Sequence, residues 1–117
     1  MKLRVSSAFI PVSDPEKAAP WYARHLDLRV ETATPFSATL STGGETILTL
    51  MGPASGIAAT PGLAWASCGF ATEDVHATRE RLAGQGIETG EITGDPNVCL
   101  FFVAKDPDGN TLLFTDR

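Results

Sequence analysis

The chain has 117 residues, of which 43% are hydrophobic, and this is enough for one folded domain or for two very small modules that share a core. Its 9 Lys and Arg against 14 Asp and Glu give a formal net charge of -5, which argues against a nucleic-acid partner because phosphate binding needs a basic surface. Short, interrupted apolar stretches and an N-terminus without an apolar segment predict a cytoplasmic protein with no membrane association. Cys68 and Cys99 lack CxxC spacing, which favours two half-buried thiols over a zinc or redox site.

The first half of the chain predicts a strand, a helix and three further strands. Residues 3–12 are mainly apolar and predict the first strand, and Asp14 followed by Pro15 is typical of a helix start. Residues 15–26 have one apolar face, although Pro20 lacks an N–H and predicts a distorted first turn or a helix that begins only at Pro20. Alternating polar and apolar residues then predict strands at 28–31, 36–40 and 46–51.

The second half predicts the same elements again. Residues 53–62 are rich in Gly, Pro and Ala and are interpreted as a linker. A strand at 63–71 is followed by a helix that begins at Asp74 and runs through Leu82, with glycines at 84 and 86 to end it. The turn-forming residues 106–110 precede the last of three more strands, which are predicted at 87–89, 98–104 and 111–115.

An internal repeat relates the two halves. Asp14 matches Asp74 and Tyr22 matches Leu82, both at an offset of 60 residues. The chain is therefore predicted to be one domain of two βαβββ modules, module one at 1–52 and module two at 63–117. One module cannot cover both faces of its sheet, so the two are expected to pair, with the helices outside and a curved mixed sheet enclosing a cleft.

At this point the sequence resembles the vicinal oxygen chelate superfamily, which contains glyoxalase I, extradiol dioxygenases and the fosfomycin- and bleomycin-resistance proteins. The resemblance covers essentially the whole chain. It rests on Val12-Ser13-Asp14 before the Trp21-Tyr22 helix, on the matching segment 74–82, and above all on Asp106-Pro107-Asp108-Gly109-Asn110. It implies an α+β fold of the glyoxalase/bleomycin-resistance type and pairing of chains into a homodimer.

The enzymes that the sequence resembles hold a divalent metal with His or Glu side chains from the first and last strand of each module. The matching positions here are Ser7, Thr49, Ser67 and Leu113. Neutral hydroxyls and a leucine do not replace imidazole and carboxylate as metal ligands. The expectation is therefore no metal, no cofactor and a chain closest to the metal-free bleomycin-resistance branch. His25 and His76 lie on the predicted helices, behind the sheet, and are not expected to act.

The cleft lining follows from the alternation of side chains across a strand. Aromatic and apolar residues dominate it, with hydroxyls where the metal ligands of the enzymes lie, and such a lining suits a flat, partly aromatic organic molecule. For any single residue the alternative is a place in the core. The predicted ligand-binding residues are Ser7, Phe9, Ile47, Thr49, Met51, Trp65, Ser67, Cys99, Phe101, Val103 and Leu113, with Thr111 and Thr115 beside them on the last strand.

Three functions remain open from the sequence. The first is a metal-independent protein that sequesters a drug-like or metabolite ligand, as in antibiotic resistance. The second is a metal-dependent lyase or oxidoreductase of the glyoxalase or dioxygenase type, with ligands at unrecognised positions. The third is a scaffold or regulatory module that uses the paired fold only to associate.

Overall fold

The computed structural model describes residues 2–117, and the chain divides into two compact units, Met1–Gly62 (unit 1) and Leu63–Arg117 (unit 2). Unit 1 contains β1 (Ser7–Pro11), α1 (Pro15–Leu26), β2 (Arg29–Ala33), β3 (Ser37–Ser41) and β4 (Ile47–Met51), and ends with a short 3-10 turn at Pro53–Ser55. Unit 2 contains β5 (Gly69–Ala71), α2 (Val75–Gly84), β6 (Thr93–Asp95), β7 (Cys99–Lys105) and β8 (Thr111–Thr115). The predicted repeat of strand, helix and three strands is confirmed.

Each unit forms one mixed sheet of four strands with the same topology. The strand order is β1-β4-β3-β2 in unit 1 and β5-β8-β7-β6 in unit 2. In each sheet the first and last strands of the unit pair in parallel, and the other neighbours are antiparallel. The predicted α+β class is thereby confirmed. Neither helix within residues 2–117 has the length and apolar composition that a bilayer crossing requires.

The core of unit 1 lies between α1 and one face of its sheet. Alternate residues of β3 and β4, among them Leu40 and Leu50, are fully buried together with Ala19 and Tyr22 of α1. The alternation leaves the intervening side chains on the other side of the sheet. We call that side of each sheet, which faces away from the helix of its own unit, the open face.

Unit 2 builds its core from stacked aromatic rings. The rings of Phe102 and Phe114 stack with their centroids 4.9 Å apart, and Phe70 stacks on Phe114 at 5.4 Å. Val75 and Leu82 are the buried residues of α2. Since Phe102 and Phe114 belong to adjacent antiparallel strands and oppose each other in register, the stack holds β7 to β8 on the helix side of the sheet.

Helix α1 begins at Pro15, so the prediction of a start at Pro20 is wrong. The Asp14 carboxylate accepts a hydrogen bond from the Glu16 N–H at 3.0 Å, and the Asp14 carbonyl accepts one from Ala18 at 2.9 Å. This cap starts the helix at the earlier proline, whose missing N–H costs nothing in the first turn. Pro20 is exposed within the continuous helix.

Two predicted strands begin later than the sequence indicated. β1 starts at Ser7 and not at residue 3, because residues 3–6 are not paired with a neighbouring strand. Their contacts to the turn before β4 are single hydrogen bonds, from the Thr46 hydroxyl to the Val5 carbonyl and from the Ile47 N–H to the Ser6 carbonyl. β5 starts at Gly69 and not at residue 63. The Thr111 N–H donates to the Leu63 carbonyl, and the Leu113 N–H donates to the Cys68 carbonyl. Four residues therefore lie between the two bonded positions of this segment, whereas only Leu112 lies between those of β8. Residues 64–67 therefore loop out of the sheet.

The sixth strand is Thr93–Asp95, and the predicted strand at 87–89 is wrong. Thr89 forms only an isolated bridge to Ala104. Arg79 of α2 gives the physical reason, because its Nε donates to the Gly90 carbonyl at 2.7 Å and its guanidinium lies 3.6 Å from the Glu91 carboxylate. The Gly90 carbonyl is thus bonded to Arg79, while the Gly90 N–H donates to the Val103 carbonyl at 2.8 Å, and regular strand pairing with β7 begins at Thr93.

Candidate functional site

The open face of unit 1 carries a row of hydroxyl groups that begins at an aromatic ring. In strand register Phe9 lies beside Thr49, Thr49 beside Thr39, and Thr39 beside Thr32. Phe9 is 54% exposed, whereas Thr49 is buried between its neighbours on the central strand. The Thr32 and Thr39 hydroxyls share a hydrogen bond of 2.7 Å. Ser7, Ile47 and Met51 lie on the same face by alternation, in the rows above and below.

The edge of this face, at β2, carries an ion pair. The Arg29 guanidinium donates two hydrogen bonds to one Glu31 carboxylate oxygen, at 2.9 and 3.3 Å. These bonds from Arg29, a further one from the Ser41 hydroxyl and the charge of Arg29 hold the pKa of Glu31 below its ordinary value. The cation of this face is therefore already neutralised by a neighbouring carboxylate of the same strand.

The open face of unit 2 is mainly apolar. Phe101 pairs in register with Thr115, and Val103 with Leu113, which in turn lies beside Gly69 of β5. Phe101 is 38% exposed, and Cys99 precedes it on the same face by alternation. The row ends at Lys105, whose Nζ donates to the Thr111 hydroxyl at 2.6 Å.

Trp65 and Ser67 lie outside the sheets. Both belong to the loop of residues 64–67, both are exposed, and the side chain of Trp65 is 84% exposed. The sequence placed them on a strand, and the structure corrects that placement because the chain bulges between Leu63 and Cys68.

The structure thus groups nine of the eleven predicted site residues in two sets. Unit 1 brings Ser7, Phe9, Ile47, Thr49 and Met51 to one face, and unit 2 brings Cys99, Phe101, Val103 and Leu113 to another. Sequence reasoning found Ser7 and Thr49 but missed other polar members of these faces. The alternation that places Phe101 and Val103 also places Lys105, one step further along β7, and the same rule applied to β3 finds Thr39 and Ser41.

The donor groups at the expected metal positions do not fit a divalent metal. Ser7, Thr49 and Leu113 lie on open faces and Ser67 lies in the loop, and none supplies imidazole, carboxylate or thiolate. Within residues 2–117 no three His, Cys, Asp or Glu side chains cluster in a way that would hold a metal ion.

The histidines lie on the helices, and Cys68 immediately precedes β5. His25 and His76 are on α1 and α2, and the ring of His25 packs against Trp21 with centroids 5.1 Å apart. Burial raises the pKa of the Cys68 thiol, which keeps this group protonated and weakly nucleophilic at neutral pH.

Comparison with known proteins agrees with this architecture. The family model of the Glyoxalase/Bleomycin resistance protein/Dioxygenase superfamily matches residues 4–114, and the chain belongs to this superfamily. No curated protein matches the sequence.

Among solved structures, a member of the same superfamily from Sphaerobacter thermophilus DSM 20745 aligns with a TM-score of 0.81 and 24% identity, over 97% of each chain. TnmS3, an antibiotic binding protein from Streptomyces sp. CB03234, aligns with a TM-score of 0.74 and 25% identity, over 97% of this chain and 94% of its own. Lactoylglutathione lyase from Agrobacterium tumefaciens aligns with a TM-score of 0.80 and 16% identity, over 98% and 94%. The fold is thus shared by a binding protein and an enzyme, and the site residues must separate the two functions.

Proposed function

We propose that this chain is a metal-independent binding protein that holds a flat, partly aromatic organic molecule on its open faces. The observation that carries the proposal is the chemistry of these faces, where hydroxyls and a leucine occupy the expected ligand positions beside Phe9 and Phe101. Exposed aromatic rings next to orienting hydroxyls are suited to a planar ligand. TnmS3, an antibiotic binding protein at 25% identity, supports a binding function for this fold.

A homodimer in the cytoplasm is part of this proposal. Large apolar side chains that are open to solvent within one chain, such as Phe9 and Trp65, gain stability when a second chain or a ligand covers them. Native mass spectrometry of the purified protein tests this part, because one spectrum reports the stoichiometry and any bound metal or organic adduct. We expect a dimer without a transition metal.

Binding itself is tested with planar polycyclic probes such as anthraquinone and acridine, by equilibrium dialysis. We expect saturable binding to the wild type. Phe9→Ala and Phe101→Ala should each weaken it about 5- to 10-fold, the loss of one aromatic contact of ~1–1.5 kcal/mol. Phe36→Ala is the matched control because Phe36 is equally exposed but precedes β3, away from these rows.

The opposite result has a clear form. Tight stoichiometric uptake of zinc, nickel, iron or manganese after chelation, together with activity that depends on that metal, would make the chain an enzyme of the glyoxalase or dioxygenase type. If no planar probe shows saturable binding, the result favours the third alternative, a scaffold or regulatory module that uses the paired fold only to associate.

A further inference from the structure

Lys105 is the cationic side chain at the Thr111 end of the open face of unit 2; Arg117, two residues beyond the end of β8, instead donates its guanidinium hydrogen bonds to the backbone carbonyls of Pro96, Asn97 and Val98. Lys105 is the last residue of β7 and follows Phe101 and Val103 at spacings of two residues, so all three point to the same side of the sheet. Its side chain is half-buried, and its Nζ donates to the hydroxyl of Thr111, the residue that it opposes in register. This bond holds the ammonium group over the face.

The ammonium group of Lys105 has no carboxylate partner among residues 2–117. By contrast, Arg29 pairs with Glu31 and Arg79 lies beside Glu91. The neighbouring carboxylate of Asp106 is directed into its own turn, where it accepts hydrogen bonds from the backbone N–H groups of Asp108 and Asn110. An ammonium has three N–H donors, so two remain beyond the bond to Thr111.

Glu88 is the acidic residue nearest to Lys105 in strand register. The Lys105 N–H donates to the Glu88 carbonyl at 3.0 Å, which places the two residues opposite each other at the end of β7. The Glu88 side chain is exposed, and its carboxylate forms no ion pair with the Lys105 ammonium. The positive charge of this face thus remains available to a ligand.

We infer that the molecule bound on the open face of unit 2 carries an acidic oxygen, a carboxylate or a phenolate, which Lys105 binds. This inference rests on the proposed function and specifies its ligand. The aromatic part would contact Phe101 and Val103, and the acidic group would lie toward Lys105, whose Cα is about 13 Å along the strand from that of Phe101. A charged donor next to apolar contacts selects an anionic aromatic over its neutral analogue, because a charge-assisted hydrogen bond is stronger than a neutral one.

The test compares two probes of nearly the same shape, 2-naphthoate and 2-naphthamide, by isothermal titration calorimetry at low ionic strength. We expect the wild type to bind 2-naphthoate about tenfold more tightly, as one charge-assisted hydrogen bond provides. Lys105→Met keeps the apolar stem and removes the charge, so it should bind both probes equally. Lys105→Arg should retain the preference. Lys17→Met, on the exposed side of α1, removes the same charge elsewhere and is the matched control.

The outcomes separate this inference from the proposed function. If the wild type binds both probes with equal affinity, or if Lys105→Met keeps the preference for 2-naphthoate, Lys105 does not recognise the ligand and the inference is wrong, while the binding function stands. If the wild type binds neither naphthalene probe but binds anthraquinone or acridine, the inference is again wrong alone. If no planar probe of either kind binds, both fail.

Discussion

The two units share one topology but differ in what their open faces present. Unit 1 presents hydroxyls from Thr32 and Thr39 and a cation, Arg29, that is already paired with Glu31. Unit 2 presents a mainly apolar row that ends at an ammonium without a carboxylate partner. Duplication of a supersecondary unit therefore preserved backbone pairing, while the chemistry of each face diverged.

The cores differ in the same way. Unit 1 packs aliphatic residues of its sheet against four buried residues of α1, among them Tyr22, whereas unit 2 depends on three stacked rings and on only two buried residues of α2. Stability in unit 2 is thus concentrated in fewer and larger side chains. Substitutions at corresponding places in the two units should have unequal effects, and these effects test the comparison.

The largest effect is expected at the aromatic stack. Phe114→Ala should lower the free energy of unfolding by ~3–5 kcal/mol, because it leaves a cavity between Phe70 and Phe102. Phe114→Leu keeps most of the volume and should cost about 1.5 kcal/mol. Urea denaturation followed by circular dichroism measures both. Phe36→Ala is the control and should stay within about 0.5 kcal/mol of the wild type; an equally small change for Phe114→Ala would contradict a core built on the stack.

The turn before the last strand of each unit gives the next comparison. Asn110 is buried, its side-chain oxygen accepts from the Leu63 N–H at 2.9 Å, and its amide donates to Asp106 at 2.8 Å. Asn110→Ala removes both side-chain bonds, including the one to the Leu63 N–H, and should cost ~1–3 kcal/mol of unfolding free energy in urea. In unit 1 the corresponding turn is exposed, and its side-chain bonds run from the Thr42 hydroxyl to the Thr46 carbonyl and from the Thr46 hydroxyl to the Val5 carbonyl. Thr42→Ala should therefore cost less than about 0.5 kcal/mol, and equal losses would refute the distinction.

The sequence predicted much of this fold because its signals are local. The caps at Asp14 and Asp74 and the 106–110 turn are short-range hydrogen-bond patterns, and both helices begin directly after their caps. The errors lie where a distant residue decides. Arg79 determines the course of the chain at Gly90, and the pairing of residues 63–68 with β8 produces the loop at Trp65. Neither contact is visible in a window of neighbouring residues.

The candidate site divides in the same manner. Alternation places Phe9, Thr49, Phe101 and Val103 on faces away from the helices, as expected, since the period of a strand is fixed by its backbone. Lys105 was missed because the predicted strand ended at residue 104, one residue short of β7. Its bond to Thr111 depends on the register between β7 and β8, which alternation alone does not determine.

The helix caps provide a smaller test. The Asp74 carboxylate accepts from the Ala77 N–H at 3.0 Å, and Asp74→Ala should cost about 1 kcal/mol. Because α2 buries only Val75 and Leu82, this loss should accelerate amide hydrogen exchange along the whole helix. Asp14→Ala should affect only the first turn of α1, because this helix is held to its sheet by four buried residues, Pro15, Ala18, Ala19 and Tyr22. Exchange measured by mass spectrometry distinguishes the two, and matching profiles would show that the helices are equally well anchored.

The smallest effect is expected at the ion pair of unit 1, where the readout is a pKa. Hydrogen bonds from Arg29 and Ser41 lower the pKa of Glu31, so the pair contributes above the unfolded-state pKa and is lost as the pH falls through the lowered folded-state value. Arg29→Gln should raise the pKa of Glu31 toward its ordinary value, and Ser41→Ala should raise it less, in carboxyl NMR titrations. An unchanged pKa in Arg29→Gln would mean that Arg29 is not held by Glu31. Both open faces would then offer an available cation, and the chemical contrast between the units would disappear.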